Sequence, residues 1–126
     1  MQQNNKKLTR FEDMTVWKDS QDLAVFVYKL TARFPDEEKY ALTSQLRRAS
    51  SSVSANIAEG FGRLTIKDRT HFYHIALGSL LETKNFMYLS IRLDYIKKTE
   101  LEDSIKQIEL IHAQITAILG YFKNHV

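Results

Sequence analysis

Asp68-x-x-His71, with His74 three residues further on, is the arrangement in this chain that most resembles a metal or proton-transfer site. A di-metal centre built on helices needs two Glu-x-x-His pairs and two further inward glutamates. The sequence does not carry that set. One cluster near a helix start is better read as a solvated face. His112 falls on an apolar stripe and is read as a histidine satisfied at a helix contact. The run Ser50 to Ser54 has no partner pattern for nucleophilic catalysis and is read as tight helix packing. No G-x-S-x-G, phosphate-loop, G-x-G-x-x-G or H-E-x-x-H motif occurs. The chain has no cysteine, which excludes disulfides, thiolate zinc sites, iron–sulfur clusters and cysteine nucleophiles. No catalytic residue, metal or cofactor is expected.

Basic side chains are the other candidates. The chain of 126 residues has 18 basic and 15 acidic groups, a net charge of only +3. The distribution is more informative. Residues 39–98 hold ten basic and four acidic side chains, a local charge of +6, while the first 38 residues come to −1 and the last 28 to −2. Arg63, Lys67 and Arg69 sit near a turn between helices, and Lys97 and Lys98 form a second pair. Such a half can attract phosphates by counterion release, or it can be an ordinary solubilising surface.

Helical periodicity supplies the elements that must position these groups. The N-terminal 12 residues are polar and unpatterned and are expected to be a mobile tail, leaving 13–126 as one domain. From Asp13, Val16, Ser20, Leu23, Val27, Leu30 and Phe34 share one helix face, and Pro35 ends that helix. Asp36, Glu37 and Glu38 suit the start of a second helix. It runs to about Phe61, with Leu42, Leu46, Ala49, Val53, Asn56, Ile57 and Gly60 on its core side. Its serine-rich middle is weak by intrinsic propensity, so neighbours must hold it.

Gly60-Phe61-Gly62 marks the next break, and Thr65 with Asp68 forms an N-terminal cap. The third helix runs to about Tyr95. Two adjacent lines, Phe72 to Ser90 and Tyr73 to Ile91, make it apolar around most of its girth. It is therefore either the central helix or one that buries a second face against another copy. Lys97 and Lys98 suit its C-terminal end. Thr99 with Glu102 is a capping box for a fourth helix carrying Leu101, Ile105, Ile108, His112, Ile115, Leu119 and Phe122. Short connections make consecutive helices antiparallel neighbours, so the fold is all-α: an antiparallel up-down-up-down four-helix bundle.

Folding the second and third helices back about Gly62 sets Asn56 and Glu59 near Lys67 to His71. It also sets Gly78 and Ser79 near Arg47 to Ser50, a close crossing, and brings Glu82 within reach of Arg47 or Arg48. An inter-helix ion pair is expected there. No apolar run approaches a membrane span, and MQQNNKKLTR has no signal-peptide core, so a cytoplasmic location away from membranes is expected.

Phe34-Pro35, Glu38, Tyr40, Leu42 and Gln45-Leu46-Arg47-Arg48-Ala49, then Asn56-Ile57-Ala58-Glu59-Gly60, then Gly78-Ser79-Leu80-Leu81-Glu82, follow a recognisable order and spacing. Over about residues 11–122 the chain resembles the four helix bundle protein family, also called the 23S ribosomal RNA intervening-sequence or S23 family. One departure is Ser54, where members often carry proline before the residue preceding N-I-A-E-G. The resemblance implies an antiparallel four-helix bundle that assembles into a homo-oligomeric ring, typically a pentamer. It implies no enzymatic activity. Some relatives are encoded within intervening sequences of large-subunit ribosomal RNA genes. A more distant group serves as accessory protein to a retroelement reverse transcriptase and binds nucleic acid through a basic ring surface. RNA or DNA is thus an implied partner, beside a purely protein-binding assembly role. Structural roles are implied for Arg47, Arg48, Asn56, Glu59, Gly78 and Glu82.

Overall fold

The structure is a computed structural model and describes residues 8–125. Four helices, α1 (Thr15–Thr31), α2 (Leu42–Phe61), α3 (Ile66–Arg92) and α4 (Lys98–Lys123), carry nearly all of it. Each helix packs beside the one before and after it, α4 returns to α1, and the backbones of the diagonal pairs stay farther apart. That is an up-and-down four-helix bundle. The core runs along its axis through Leu23, Leu46, Ile57, Tyr73, Leu80, Met87, Ile108 and Ile115.

Residues 1–7 of the expected tail lie outside the described residues. Phe11–Asp13 forms a 3-10 turn, and Phe11 meets the Trp17 ring edge-on at 5.3 Å. An aromatic at position 11 thus anchors the chain before α1 begins.

The acids after Pro35 do not open α2. They form a separate 3-10 turn, Asp36–Glu38, and the backbone leaves helical geometry at Ala41 (φ −125°, ψ −107°). Glu38 still caps, from four residues upstream: its Oε1 accepts the Leu42 N–H at 3.2 Å and its Oε2 accepts the Tyr95 hydroxyl at 2.7 Å. One carboxylate therefore ties the start of α2 to the α3–α4 connection, where Tyr95 also packs on Phe34 at 5.1 Å.

The α2–α3 fold-back centres near Thr65, not Gly62. The chain spends Gly62 to Thr65 in the connection, and the Thr65 hydroxyl accepts the Asp68 N–H at 3.1 Å. The facing pairs shift accordingly. Ser79 Oγ donates to Ser52 Oγ at 3.0 Å, and Arg48 reaches Glu82. Asn56 is half-buried and off the core line, and its amide donates within α2 to Ser52 O at 2.8 Å and Ser52 Oγ at 2.9 Å. Gly78 is exposed and makes no close crossing. That crossing belongs to Gly60, where an added Cβ would lie 2.9 Å from Tyr73 Cε1 and 3.1 Å from Phe72 Cβ.

The α2 serines do pack as expected. Ser50 and Ser54 are buried, and the Ser54 hydroxyl accepts from Gln21 of α1 at 3.0 Å.

α3 ends earlier than its pattern suggests. Asp94 takes a left-handed conformation (φ 62°). Its N–H donates to Ile91 O, and that of Tyr95 donates to Ser90 O, both at 3.0 Å. These are the two bonds of a Schellman stop. Lys97 and Lys98 therefore open α4 instead of closing α3. The cap of α4 is Glu100, whose Oε1 accepts the Lys97 N–H at 2.8 Å, so the Thr99–Glu102 box does not form. His112 is half-buried at the α3 seam, while Ser104, Ile108, Ile111, Ile115 and Phe122 make the α4 core face.

Gly60→Ala should lower stability by about 1–3 kcal/mol, because the buried Tyr73 ring has no room to yield. Gly78→Ala should raise it by about 0.5–1 kcal/mol, the cost of glycine inside a helix. Urea melts of both variants check the opposite signs. Burial pushes the Tyr73 phenol up to about 12 from 10.0. The hydrogen bond to Glu38 pushes that of Tyr95 up to about 12 as well. Raised folded-state values favour the neutral phenols, so this stability is intact below pH 10 and lost as pH rises toward 12. An alkaline melt series should show that loss, and Tyr95→Phe should reduce it.

Candidate nucleic-acid interface

The bundle has two dissimilar ends. At one, the start of α3 meets the start of α1 and the last turn of α4. Tyr73 OH lies 3.7 Å from Met14 Sδ, and its ring meets Phe122 edge-on at 5.5 Å. At the other, Arg33 Nη2 pairs with Glu100 Oε2 at 2.5 Å beside the Phe34–Tyr95 contact.

The basic candidates divide between these ends. Arg63, Lys67 and Arg69 lie at the first, Lys97 and Lys98 at the second. α3, with 27 residues, separates them by ~40 Å. They do not form one surface. Lys97 and Lys98 also share their end with Asp36, Glu37, Asp94, Glu100 and Glu102.

At the first end the arginines are partly committed to structure. Arg63 Nη2 reaches Glu59 Oε2 at 2.6 Å, one turn back along α2. Its guanidinium lies over the Phe72 ring at 4.6 Å, and its carbonyl accepts Arg69 Nε at 2.7 Å. This knot fixes the α2–α3 turn and holds both cations at its surface. Leu64 projects from the turn, 95% exposed. Lys67 is exposed and has no ion pair among the described residues.

Three basic groups beside this cluster escape a reading based on charge runs. His71 and His74 continue the Lys67 face of α3 at positions i+4 and i+7. Lys123 arrives from the last turn of α4. His74 and Lys123 line a groove of about 550 Å³ between α3 and α4, with Thr70, Leu77, Thr116, Leu119 and Gly120. The periodicity of Lys67, His71 and His74 was available as a signal. Lys123 needed the α3–α4 pairing.

Of the motif residues, Arg47, Arg48 and Glu82 act between helices. Arg47 clasps α1: its Nε donates to Thr31 Oγ1 at 2.9 Å, its Nη2 to Tyr28 O at 3.2 Å, and its guanidinium covers the Tyr28 ring at 4.6 Å. Arg48 pairs with Glu82 of α3 and is steadied by Gln45 Oε1 at 2.9 Å. That is the expected inter-helix pair. Glu59 serves the turn through Arg63.

Nothing gathers metal ligands: no group of three His, Asp or Glu side chains is placed to hold an ion among the described residues. His71 instead meets the Phe72 ring at 5.3 Å. The single Glu-x-x-His, Glu109 to His112, puts its carboxylate 4.0 Å from Lys84 Nζ. No helix of the described residues is long and apolar enough to cross a membrane.

A sequence model described as 23S rRNA-intervening sequence protein matches residues 12–117. The chain belongs to that family. The fold agrees with a solved relative. A crystal structure of a protein of unknown function from the S23 ribosomal protein family of Bacteroides thetaiotaomicron superposes with a TM-score of 0.75 at 25% identity. The match covers 83% of this chain and 98% of that one. No curated protein matches the chain. In this chain Arg47, Arg48 and Glu82 tie helices, Glu59 holds the α2–α3 turn, and Gly60 lets two helices approach.

The Arg48–Glu82 pair is solvent-accessible, with side chains 53% and 36% exposed. A double-mutant cycle with Arg48→Ala and Glu82→Ala should return a coupling of about 0.3–1 kcal/mol, smaller at high salt. Zero coupling at low salt contradicts the pair.

Proposed function

We propose that this chain is a non-catalytic, self-associating helical module that holds RNA at its Arg63–Lys67–Arg69 end. The observation that carries the reading is the convergence of Arg63, Lys67 and Arg69 with His71, His74 and Lys123 at one end. Cations on two helices and a turn outnumber the acids at that end, Glu12, Asp13, Glu59 and Asp68, of which Glu59 is paired with Arg63. The charge would engage phosphates without base selection, releasing condensed counterions on contact. Lys97 and Lys98, among acids at the far end, take no part. The cytoplasm is the compartment where such a module would meet ribosomal or structured RNA.

Self-association is supported by α3. Ile75 (38%), Leu81 (47%), Tyr88 (46%) and Leu89 (41%) leave apolar surface outside the protomer core. A single protomer gains nothing from that exposure, whereas a second copy would bury it. The ring of five that the family resemblance implies would have a mass of about 74 kDa, from five chains of 14.7 kDa. It would repeat the basic end around its axis.

Fluorescence anisotropy with a structured RNA, titrated at several salt concentrations, tests the nucleic-acid part. Affinity should fall steeply between about 50 and 200 mM salt. Lys67→Glu should weaken binding about tenfold at low salt, and the Lys97→Glu/Lys98→Glu double variant should not. No binding even at low salt would leave a protein-assembly module without nucleic acid as the better reading. Multi-angle light scattering should return an assembly, and Leu81→Glu should shift it toward the protomer.

A further inference from the structure

A basic surface can receive RNA as a duplex or as a single strand. We infer that the α3–α4 groove seats a single unpaired nucleotide of an RNA strand, its base in the apolar trough and its phosphates on the basic rim. The inference rests on the basic-end reading and adds a preference for single strands to it.

The trough has the dimensions and the lining for this. Its volume of about 550 Å³ lies within the ~300–1,000 Å³ span of small-molecule sites. Leu77 and Leu119 supply its apolar walls. The Thr116 hydroxyl is turned back onto its own helix, donating to His112 O at 3.0 Å and Ala113 O at 3.1 Å. That leaves the methyl group as the free part of the side chain. Gly120 contributes only backbone, and a Cβ added there would meet nothing within 4 Å. Nothing inside the protomer requires a glycine at that point of α4, where it weakens the helix. Without a side chain it leaves that stretch of the trough wall as bare backbone.

The charge of Lys123 on the rim favours an anion. The ionisable groups lining the trough are His74 and Lys123, and no carboxylate lines it. Lys67 and His71 extend the same face of α3 toward the Arg63 turn. Neither Lys67 nor Lys123 has an ion pair among the described residues. An occupant with a planar ring of apolar faces, its polar edges turned to solvent, and an anionic backbone meets both halves of this site. A duplex offers only its phosphates here, because its bases are stacked and paired. An unpaired base in a loop or bulge is free to turn inward.

Anisotropy titrations of the full chain with a twelve-residue oligouridylate and with a duplex RNA of equal length test this. The wild type should bind the single strand about tenfold more tightly. Gly120→Leu fills the trough while improving helix propensity, and circular dichroism would verify the fold. It should abolish the single-strand preference and leave duplex binding unchanged. Lys123→Glu should weaken both ligands. A Gly120→Leu protein that keeps its preference overturns the inference and leaves the basic-end reading standing. A Gly120→Leu protein that changes its subunit number instead also overturns it, by showing that another copy covers the trough. A wild type that binds neither RNA at low salt removes the basic-end reading itself.

Discussion

The close approach of α2 and α3 is the constraint on which the rest of the molecule depends. Gly60 lets α2 come within contact of the buried Tyr73 ring, where any side chain would collide with it. Above that point the seam is lined by small polar residues. Ser52 and Ser79 bond across it, and Arg48 and Glu82 close its outer edge. These residues have poor helix propensity or lie off the apolar stripe, so local preference cannot hold them. Packing must. Once the seam is set, Tyr73 is carried between Met14 and Phe122, and the starts of α1 and α3 and the end of α4 meet.

The seam also decides where charge accumulates. Its connection, Gly62 to Thr65, is fastened by Arg63 against Glu59 and Phe72 and by Arg69 against the Arg63 carbonyl. The same contacts that fix the turn present its cations. Lys67, His71 and His74 then follow on one face of α3, and α4 brings Lys123 to it. The opposite end is built on a carboxylate, Glu38, and on Arg33–Glu100, and gathers acids around Lys97 and Lys98. A net charge of +3 conceals this division.

Much of the architecture was legible because apolar spacing and single breakers carry it. Pro35 and the Gly60–Gly62 break mark two of the three connections, and of the two arginines expected to reach Glu82, Arg47 or Arg48, it is Arg48 that does. What was not legible depended on one or two residues of backbone geometry. Asp94 stops α3 by adopting a left-handed conformation that aspartate takes only occasionally, and no periodicity announces it. That stop moved Lys97 and Lys98 from the end of one helix to the start of the next. A connection longer by a few residues moved the fold-back from Gly62 to Thr65, so the close crossing passed from Gly78 to Gly60. The basic cluster was half visible for the same reason. Arg63, Lys67 and Arg69 are close in sequence, whereas Lys123 joins them only through the pairing of α3 with α4.

The register of the α2–α3 seam is therefore the claim to test, and a chain without native cysteine makes the test clean. The measurement is disulfide formation under mild oxidation in the double variant Ser52→Cys/Ser79→Cys, against Arg47→Cys/Gly78→Cys, which would face each other if the chain folded back about Gly62. The structure predicts rapid, complete crosslinking of the first pair, whose hydroxyl oxygens lie 3.0 Å apart, and none of the second. Crosslinking of the second pair in place of the first would contradict the register, and with it the placement of every basic residue at that end.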